Sequence, residues 1–250
     1  MRIPRIYTPQ ALASQQTLLL EPNASKHILA VLRLKPGAPL VLFDGSGYEF
    51  EARLDAASNH HAQVATGARR EGQPESPLRI TLAQGISRGE RMDYTLQKAV
   101  ELGVAEIMPV LTERTVVRLD EKQTDHKRKH WQQLVIAACE QSGRGRVPVV
   151  HALASLDSLF SANPPHDLKL LLEPNADSPL SGLSQPVKNQ ILLLVGPEGG
   201  LSEAEIMAAR QAGFKQVRLG PRVLRTETAA LVGLSLLQGM WGDLAGEIDC

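Results

Sequence analysis

The chain has 250 residues with 27 basic and 27 acidic side chains, so its formal net charge is zero, which argues against a uniformly basic nucleic-acid-binding protein. Two cysteines, Cys139 and Cys250, are too few for a disulfide framework or a thiolate zinc site. The N-terminus has no apolar signal core and no stretch approaches the roughly 18 apolar residues of a membrane span, so we expect a cytoplasmic protein that does not enter membranes.

Residues 1–72 carry short apolar runs separated by turn residues, a pattern typical of a small β-barrel. Apolar residues on both sides of Asp44–Gly47 predict a hairpin with its turn at these four positions. One short helix, Asn23–Val31, is expected to interrupt the strands, with Asn23 as its N-cap. We therefore predict an N-terminal β-barrel domain over residues 1–72.

A linker separates this region from the rest of the chain. Two prolines and a glycine among charged residues at 71–77 leave no hydrophobic period, so we place the domain boundary there. Across residues 73–250, strand patterns alternate with helical ones, which indicates an α/β domain with a mostly parallel sheet. The predicted strands are Leu78–Gln84, Ile107–Leu111, Leu168–Leu172, Ile191–Val195 and Gln216–Arg218. The predicted helices are Arg91–Leu102, Gln123–Gln141, Ser202–Ala212 and Thr226–Trp241. A Ser-x-x-Glu capping box marks the start of the helix at Ser202.

Two loops rich in glycine and proline follow the last two predicted strands. Gly196–Gly200 comes after Ile191–Val195, an apolar run typical of a buried parallel strand, and Leu219–Thr228 leads into the last helix. Loops at the carboxyl ends of neighbouring parallel strands form the crevice in which α/β sheets bind small ligands. We interpret the two loops as one cofactor pocket. Taken alone, Gly196–Gly200 could equally be a tight turn before a helix that Ser202 caps.

Common nucleotide and metal motifs are missing from the sequence. It contains no Gly-x-x-x-x-Gly-Lys-Ser/Thr loop, and no Gly-x-Gly-x-x-Gly follows a predicted strand. His126 and His130 lie four residues apart on the long helix, a possible metal spacing, but no third ligand is near them in sequence. We therefore expect neither a nucleoside triphosphate loop nor a metal site.

The stretch Gly143–Arg146 alternates two arginines with glycines after the long helix. We expect the guanidinium groups of Arg144 and Arg146 to be extended and mobile, an arrangement suited to phosphate contacts. By contrast, Lys127–Lys129 is interpreted as a solvated helix face, the usual role of a charge run.

Blocks of residues in a fixed order along nearly the whole chain carry a resemblance to a known family. They are Arg2–Arg5, Arg88–Met92, Gln97–Val104, Thr112–Arg114, Ala138–Arg144 and the loops Gly196–Gly200 and Leu219–Thr228. In this combination the chain resembles the RsmE family, methyltransferases specific for N3 of uridine in small-subunit ribosomal RNA. That family belongs to the knotted SPOUT superfamily.

The resemblance implies a fold, a cofactor and partners. The fold would be an N-terminal PUA-like barrel followed by an α/β-knot domain whose chain is threaded into a trefoil knot. The cofactor would be S-adenosylmethionine with no metal, and the partners would be small-subunit ribosomal RNA, within the assembled subunit, and a second copy of the chain. For this homodimer the last helix offers Leu231, Leu234, Leu237 and Trp241, which could equally be intramolecular core at helical spacing.

With this resemblance, three loops at strand ends become candidates for cofactor binding. Their backbone groups can recognise an adenine edge and their leucines can cover its face. Thr226, at the end of the third loop, could also cap the last helix. The candidate residues are Leu172, Glu173, Gly196, Pro197, Gly199, Gly200, Leu219, Gly220, Leu224 and Thr226.

The implied reaction must activate N3 of a uracil, which loses its proton only well above neutral pH. Catalysis then depends on alignment of the reactants and on stabilising the uracil anion. We assign charge stabilisation to Arg225, and we assign the orienting or proton-accepting role to Glu227 or Glu198 without choosing between them. Because acidic residues are common in the first turn of helices, Glu227 could instead serve only the helix dipole.

The target base is expected to leave its stack, with RNA held on both sides of the site. Arginines of both domains are candidates for RNA contacts, although any single one could instead form a surface ion pair. The candidates are Arg2, Arg5, Arg33, Arg88, Arg91, Arg114, Arg144 and Arg146.

Two other functions fit the same residues. A non-catalytic ribosome-assembly factor would combine the RNA-binding barrel with a decayed pocket, but the intact glycines and charged residues of both loops argue against decay. A related SPOUT methyltransferase that acts on a ribose 2′-hydroxyl uses overlapping loop types, and only the family blocks exclude it.

Overall fold

The computed structural model describes residues 3–58, 61–115 and 121–244. They form two compact units. The N-terminal unit contains the described residues up to Glu75 together with Ile136–Val147, and the C-terminal unit contains Ser76–Val135 and the described residues from Pro148 onward. The division into domains over residues 1–72 and 73–250 stays a prediction.

The N-terminal unit is built on one five-stranded sheet. Its strands are β1 (Arg5–Tyr7), β2 (Thr17–Leu19), β3 (Pro39–Phe43), β4 (Tyr48–Ser58) and β5 (His61–Glu71), paired in the order β1-β3-β4-β5-β2. The pair β1 and β3 is parallel and the other pairs are antiparallel. The predicted hairpin is confirmed: its turn joins β3 to β4, and the Asp44 carboxylate accepts a hydrogen bond from the Ser46 N–H at 3.0 Å.

The short helix of this unit begins earlier than predicted. Helix α1 (Pro22–Lys26) continues into a π-helical turn, His27–Val31. The prediction that Asn23 is the N-cap is wrong. Glu21 caps the helix instead, because its carboxylate accepts hydrogen bonds from the N–H groups of Asn23 and Ala24 at 2.9 and 3.0 Å. Pro22 fits the first helical position because it has no N–H to satisfy there.

The C-terminal unit is built on a parallel sheet. Its strands are β6 (Arg79–Gly85), β7 (Glu106–Leu111), β8 (Val149–Val150), β9 (Ala154–Ser155), β10 (Leu168–Leu172), β11 (Gln190–Val195) and β12 (Lys215–Val217). They pair in the order β12-β10-β11-β6-β7-β8, with β9 also on β7, and every pair is parallel. Five consecutive residues of β11, Ile191–Val195, are buried, as predicted for a strand covered on both faces.

Helices cover both faces of this sheet. They are α2 (Glu90–Glu101), α3 (Glu121–Ser142), α4 (Leu156–Ala162), α5 (Glu203–Gln211) and α6 (Thr226–Trp241); the end of α3, from Ile136, belongs to the N-terminal unit. Leu192 and Leu194 pack with α4 and α5, whereas Leu193 points to the opposite face, where it meets Gly233 of α6. The predicted α/β class is therefore confirmed.

Two local predictions are also confirmed by the helices of this unit. Ser202 and Glu205 form the predicted capping box at the start of α5, and α6 has the predicted bounds. Within the described ranges, no helix combines the length and the apolar character needed to cross a bilayer.

Candidate functional site

The loops at the carboxyl ends of the parallel strands surround a cleft of about 690 Å³. A smaller pocket of about 40 Å³ adjoins it and shares several lining residues with it. Three chain segments line the cleft: Leu172–Asn175 after β10, Val195–Leu201 after β11, and Val223–Thr226 at the start of α6. The two loops singled out in the sequence therefore meet in one cleft.

One part of the sequence interpretation is corrected by the strand order. The two loops do not follow neighbouring strands, because β10 lies between β11 and β12. The loop after β10 fills the space between them, and the N–H of Glu173 donates to the carbonyl of Val217 at 3.0 Å. The three candidate loops therefore lie side by side at the ends of β12, β10 and β11.

The predicted cofactor-binding residues are brought together by this arrangement. Those that line the cleft are Leu172, Glu173, Gly196, Pro197, Gly199, Gly200, Leu224 and Thr226. Leu219 and Gly220 line the adjoining pocket, together with Leu172, Glu173 and Leu224. Gly220 has a φ of +142°, a backbone conformation that favours glycine.

The loop Gly196–Gly200 approaches β6 so closely that its position depends on Gly85, a residue that the sequence analysis does not identify. A Cβ atom added to Gly85 would lie 2.6 Å from the backbone nitrogen of Pro197. Only glycine permits this approach without a backbone shift. The available sequence signal was a glycine at the end of a buried strand, which often marks close approach of another backbone.

Thr226 joins two sides of the cleft through its hydroxyl group. The hydroxyl donates to the carbonyl of Gly196 at 2.6 Å and accepts from the Gln84 side-chain amide at 3.0 Å. The expectation that Thr226 could cap α6 is wrong, because Arg225 is the N-cap residue and makes no side-chain capping bond. The threonine hydroxyl instead binds the loop after β11.

A second set of contacts holds the turn after β7 beside the same loop. The Arg114 guanidinium donates to the carbonyl of Gly199 at 3.0 Å. One Glu205 oxygen accepts from the N–H of Glu113 at 2.7 Å, while the other accepts from the N–H of Ser202 at 2.8 Å. Glu205 of the capping box therefore also holds the turn that carries Arg114 at the edge of the cleft.

Glu198 faces the cleft and is held by cationic and backbone donors. Its Oε1 atom accepts from the N–H of Arg88 at 2.9 Å and from the Arg91 guanidinium at 3.2 Å. Partial burial alone would raise the pKa of Glu198, but the hydrogen bonds from the N–H groups of Arg88 and Glu198 and from Arg91 outweigh it and hold the pKa below its ordinary value. A carboxylate in this state is a weak base.

The other two predicted catalytic residues flank Thr226. Arg225 lines the cleft and is exposed, and within the described part of the chain no hydrogen bond or ion pair engages its guanidinium. Glu227 lies in the first turn of α6 and is half-buried. Its Oε2 atom is buried and has no donor among the residues that the structure describes. Glu227 is not among the described residues that line the cleft.

The predicted RNA-binding arginines fall into distinct groups. Arg91 and Arg114 line the cleft, and Arg88 is exposed two residues before the start of α2. Arg33 and Arg146 are exposed in the N-terminal unit. Arg2 lies outside the described residues.

Arg5 and Arg144 occupy positions that do not suit RNA contacts. The Arg5 side chain is only 8% exposed, forms an ion pair with Glu49 at 2.6 Å and lies 4.6 Å from the ring centroid of Phe43. Arg144 is paired with Glu75 and is 12% exposed. The expectation of an extended and mobile guanidinium therefore does not hold for Arg144.

His130, considered as a metal ligand in the sequence, contacts the Asp93 carboxylate at 2.8 Å. The same carboxylate accepts from the indole N–H of Trp131 at 3.2 Å. Across residues 3–58, 61–115 and 121–244, no cluster of three or more histidine, cysteine or acidic residues could hold a metal ion.

Comparisons with known proteins agree on one family. A family model described as an RNA methyltransferase domain matches residues 74–238, and a model described as an RNA methyltransferase PUA domain matches residues 20–66. Ribosomal RNA small subunit methyltransferase E of Buchnera aphidicola (Schizaphis graminum strain) is 34% identical over 98% of this chain and 99% of that protein. The protein of the same name from Bacillus subtilis is 30% identical over 92% and 93%.

The fold comparison gives the same result. The crystal structure of a ribosomal RNA small subunit methyltransferase E from Neisseria gonorrhoeae, bound to S-adenosyl methionine, matches with a TM-score of 0.89 and 42% identity. The match covers 97% of this chain and 100% of that one.

Proposed function

We propose that this chain, which belongs to the ribosomal RNA small subunit methyltransferase E family, methylates N3 of a uridine in small-subunit ribosomal RNA. The predicted RNA methyltransferase activity is confirmed, as is S-adenosylmethionine as the cofactor. The observation that carries the finer proposal is the three-segment cleft, where Arg225 stands beside the predicted cofactor-binding loops.

The cleft fits S-adenosylmethionine. A volume of about 690 Å³ lies within the range of small-molecule sites. Gly196–Gly200 forms part of its wall, and the close approach at Gly85 leaves no room for a side chain at that position between the loop and β6. Leu172 and Leu224 line both the cleft and the adjoining pocket and would cover the faces of an adenine ring. The bound cofactor supplies an electrophilic methyl group.

The chain's own residues must lower the barrier at the uracil. Loss of the N3 proton places negative charge on the uracil carbonyl oxygens, and a fixed cation beside them stabilises that charge. We assign this role to Arg225, whose guanidinium borders the cleft and is not engaged by an acceptor in the described chain. Because this arginine does not have to give up an existing acceptor, it can bind the uracil oxygen directly.

The structure favours a division of roles between the two carboxylates. Glu198 already accepts from Arg88 and Arg91, and its pKa is lowered, so we assign it to positioning Arg91. Glu227 has a buried oxygen without a donor in the described chain and directly follows a cleft-lining residue. We therefore propose Glu227 as the acceptor of the N3 proton.

RNA must be held while one base is turned out of its stack. We propose Arg88, Arg91 and Arg114, at the edge of the cleft, and Arg33 and Arg146 of the N-terminal unit as phosphate contacts. Arg5 and Arg144 are left out because both guanidiniums are buried against carboxylates. Binding should weaken steeply as salt concentration rises.

The finer features of fold and assembly also belong to this proposal. We propose that the N-terminal sheet closes as a PUA-like barrel, that the C-terminal chain forms a trefoil knot, and that the enzyme is a cytoplasmic homodimer. Leu234 and Leu237 are fully buried within the chain, so they are intramolecular core. Leu236 and Met240 are 42% and 36% exposed on α6 and are better candidates for the dimer interface.

The test is nucleoside mass spectrometry of unmodified small-subunit ribosomal RNA after incubation with the purified protein and S-adenosylmethionine. We expect 3-methyluridine, formed more rapidly on assembled subunits than on naked RNA. A ribose-methylated product would instead support the 2′-hydroxyl alternative. RNA binding without any methylated nucleoside, together with no cofactor affinity in calorimetry, would support a non-catalytic assembly factor.

A further inference from the structure

Gln84 is a fully buried polar residue near the end of β6. It is 0% exposed, and its neighbours Leu82 and Ala83 in β6 are apolar and equally buried. The side-chain nitrogen of Gln84 donates to the carbonyl of Gly85 and to the Thr226 hydroxyl, both at 3.0 Å. Its side-chain oxygen has no partner among the described residues. Such a buried amide needs a reason, because an unpaired oxygen is destabilising.

The orientation of the Gln84 amide follows from its partners. A threonine hydroxyl has one proton, and Thr226 gives it to the carbonyl of Gly196 at 2.6 Å. Thr226 must therefore accept from Gln84, and the Gly85 carbonyl can only accept as well. Only the amide nitrogen satisfies both neighbours, which leaves the oxygen of Gln84 as the unpaired atom.

These hydrogen bonds link three segments that meet at the cleft. Gln84 is the penultimate residue of β6, Gly196 begins the loop after β11, and Thr226 begins α6. We call the chain of bonds Gln84–Thr226–Gly196 the relay. Arg225 and Glu227 directly flank its central residue, so a shift of Thr226 would move both proposed catalytic side chains relative to the glycine loop.

We infer that Gln84 is a positioning residue of the methyltransferase, acting through Thr226 to fix the start of α6 against the loop after β11. The inference rests on the proposed function, since the cleft that the relay shapes is the proposed cofactor site. Gln84 itself is not among the described residues that line the cleft. Gln84 therefore affects cofactor binding by positioning Thr226, and the experiment tests this indirect effect.

The experiment measures S-adenosylmethionine binding by calorimetry on the full chain, alongside thermal unfolding without cofactor. Gln84→Met keeps the side-chain length and removes the amide, and Thr226→Val removes the hydroxyl at nearly constant shape. We expect each to raise the Kd about tenfold, the effect of one buried hydrogen bond. The double variant should be no more than about threefold weaker than the worse single variant, because both interrupt the same relay.

Two further variants separate positioning from general stability. Thr226→Ser keeps the hydroxyl and should restore the Kd to within about threefold of the unmodified protein. Thr81→Val is the matched control in the same strand, since buried Thr81 bonds His166 at 3.0 Å at the opposite end of β6. It should lower the unfolding midpoint without changing the Kd. If Gln84→Met does not fold, the contrast between Thr226→Val and Thr226→Ser carries the test.

The outcomes distinguish this inference from the proposed function. A Gln84→Met protein with a lowered unfolding midpoint but a Kd within about twofold of the unmodified chain would overturn the relay and leave the methyltransferase intact. Fully additive losses in the double variant would also overturn it, since the two residues would then act independently. If the unmodified chain shows no affinity for S-adenosylmethionine, the proposed function fails first.

Discussion

Arg5 of the N-terminal unit and Arg225 of the cleft have the same chemistry but opposite surroundings. Arg5 is 8% exposed, is paired with Glu49 and donates to the carbonyl of Cys139 at 2.6 Å. Arg225 is exposed at the cleft, and no acceptor in the described part of the chain engages it. The difference shows that the supply of nearby acceptors decides whether an arginine stabilises the fold or remains available to a ligand.

The acceptors around Arg5 come from an unusual source within the N-terminal unit. Besides Glu49, the guanidinium binds main-chain carbonyls of Cys139 and Arg144, at and just beyond the end of α3. Carbonyls near a helix C-terminus carry partial negative charge, and the Cys139 carbonyl accepts from the Gly143 N–H at 3.1 Å as well as from Arg5. Arg5 therefore donates to main-chain carbonyls as well as to a carboxylate, and these acceptors explain why its burial is tolerated.

The largest expected effect concerns the buried side of this comparison. Arg5→Ala should destabilise the protein by about 3–5 kcal/mol, because the buried Glu49 carboxylate and two main-chain carbonyls each lose a hydrogen-bond donor. Glu49 keeps a second partner, Arg70, at 3.0 Å, so the loss should lie near the lower end. The free energy of unfolding in urea measures it, with Arg33→Ala as an exposed control expected to change it by less than about 0.5 kcal/mol. Equal stability of Arg5→Ala and the unmodified protein would mean that Arg5 does not stabilise the fold and does not differ from Arg225 in this respect.

The next effect concerns the cleft. Arg225→Ala should lower the single-turnover methylation rate about 10²–10³-fold, as expected when one donor to a developing negative charge is removed. Stability and S-adenosylmethionine Kd should change little, because the side chain is exposed. The measurement is a rapid-quench assay at saturating cofactor, with Arg222→Ala as a nearby exposed control. A normal single-turnover rate with lost cofactor binding would assign Arg225 to the cofactor instead.

Much of the C-terminal unit could be predicted because its signals are local. The apolar run of β11 and the capping box at Ser202 each lie within a few adjacent residues, and both were placed correctly. Short elements with weak periodicity were missed, among them α4 with seven residues and the two-residue strands β8 and β9. The loops of the site were also identifiable, because glycine and proline mark turns directly.

The contacts that distinguish Arg5 from Arg225 could not be predicted, because they join residues that are far apart in the sequence. Arg5 and Glu49 are separated by 44 positions, and Arg5 and Cys139 by 134. The same holds for Gln84 and Thr226, which are 142 positions apart. A charged or polar letter in the sequence shows what a side chain can bind, but only the tertiary fold shows what lies beside it.

A smaller effect is expected for Gly85→Ala. This substitution tests whether the shape of the cleft depends on close backbone packing, just as Arg5→Ala tests whether the stability of the N-terminal unit depends on a buried arginine. Gly85→Ala places a Cβ within 2.6 Å of the Pro197 nitrogen, so the loop after β11 must shift. Overpacking of this kind costs about 1–3 kcal/mol, and S-adenosylmethionine affinity should fall at least tenfold. Gly182→Ala is the control, because its nearest neighbour would lie at 3.9 Å. Unchanged cofactor affinity in Gly85→Ala would show that the close approach does not shape the cleft.

The smallest effect uses pH to separate the two units, because the pKa of His27 in one unit is raised and the pKa of Glu198 in the other is lowered. In the N-terminal unit, the hydrogen bond from His27 to Glu140 outweighs burial and raises the pKa of His27 above its ordinary 6.5. The protonated pair therefore stabilises the fold fully below pH 6.5, and that stability is lost as pH rises through the raised value.

In the C-terminal unit, the pKa of Glu198 is lowered. The ionised carboxylate therefore contributes its full stability above its ordinary pKa of 4.5, and that stability is lost as pH falls through the lowered value. Urea unfolding from about pH 2 to 9 should show His27→Gln without the alkaline loss, worth about 1 kcal/mol or less for a partly exposed pair. The same scan should show Glu198→Gln without part of the acid loss. An alkaline loss that persists in His27→Gln would mean that another group of the protein carries it.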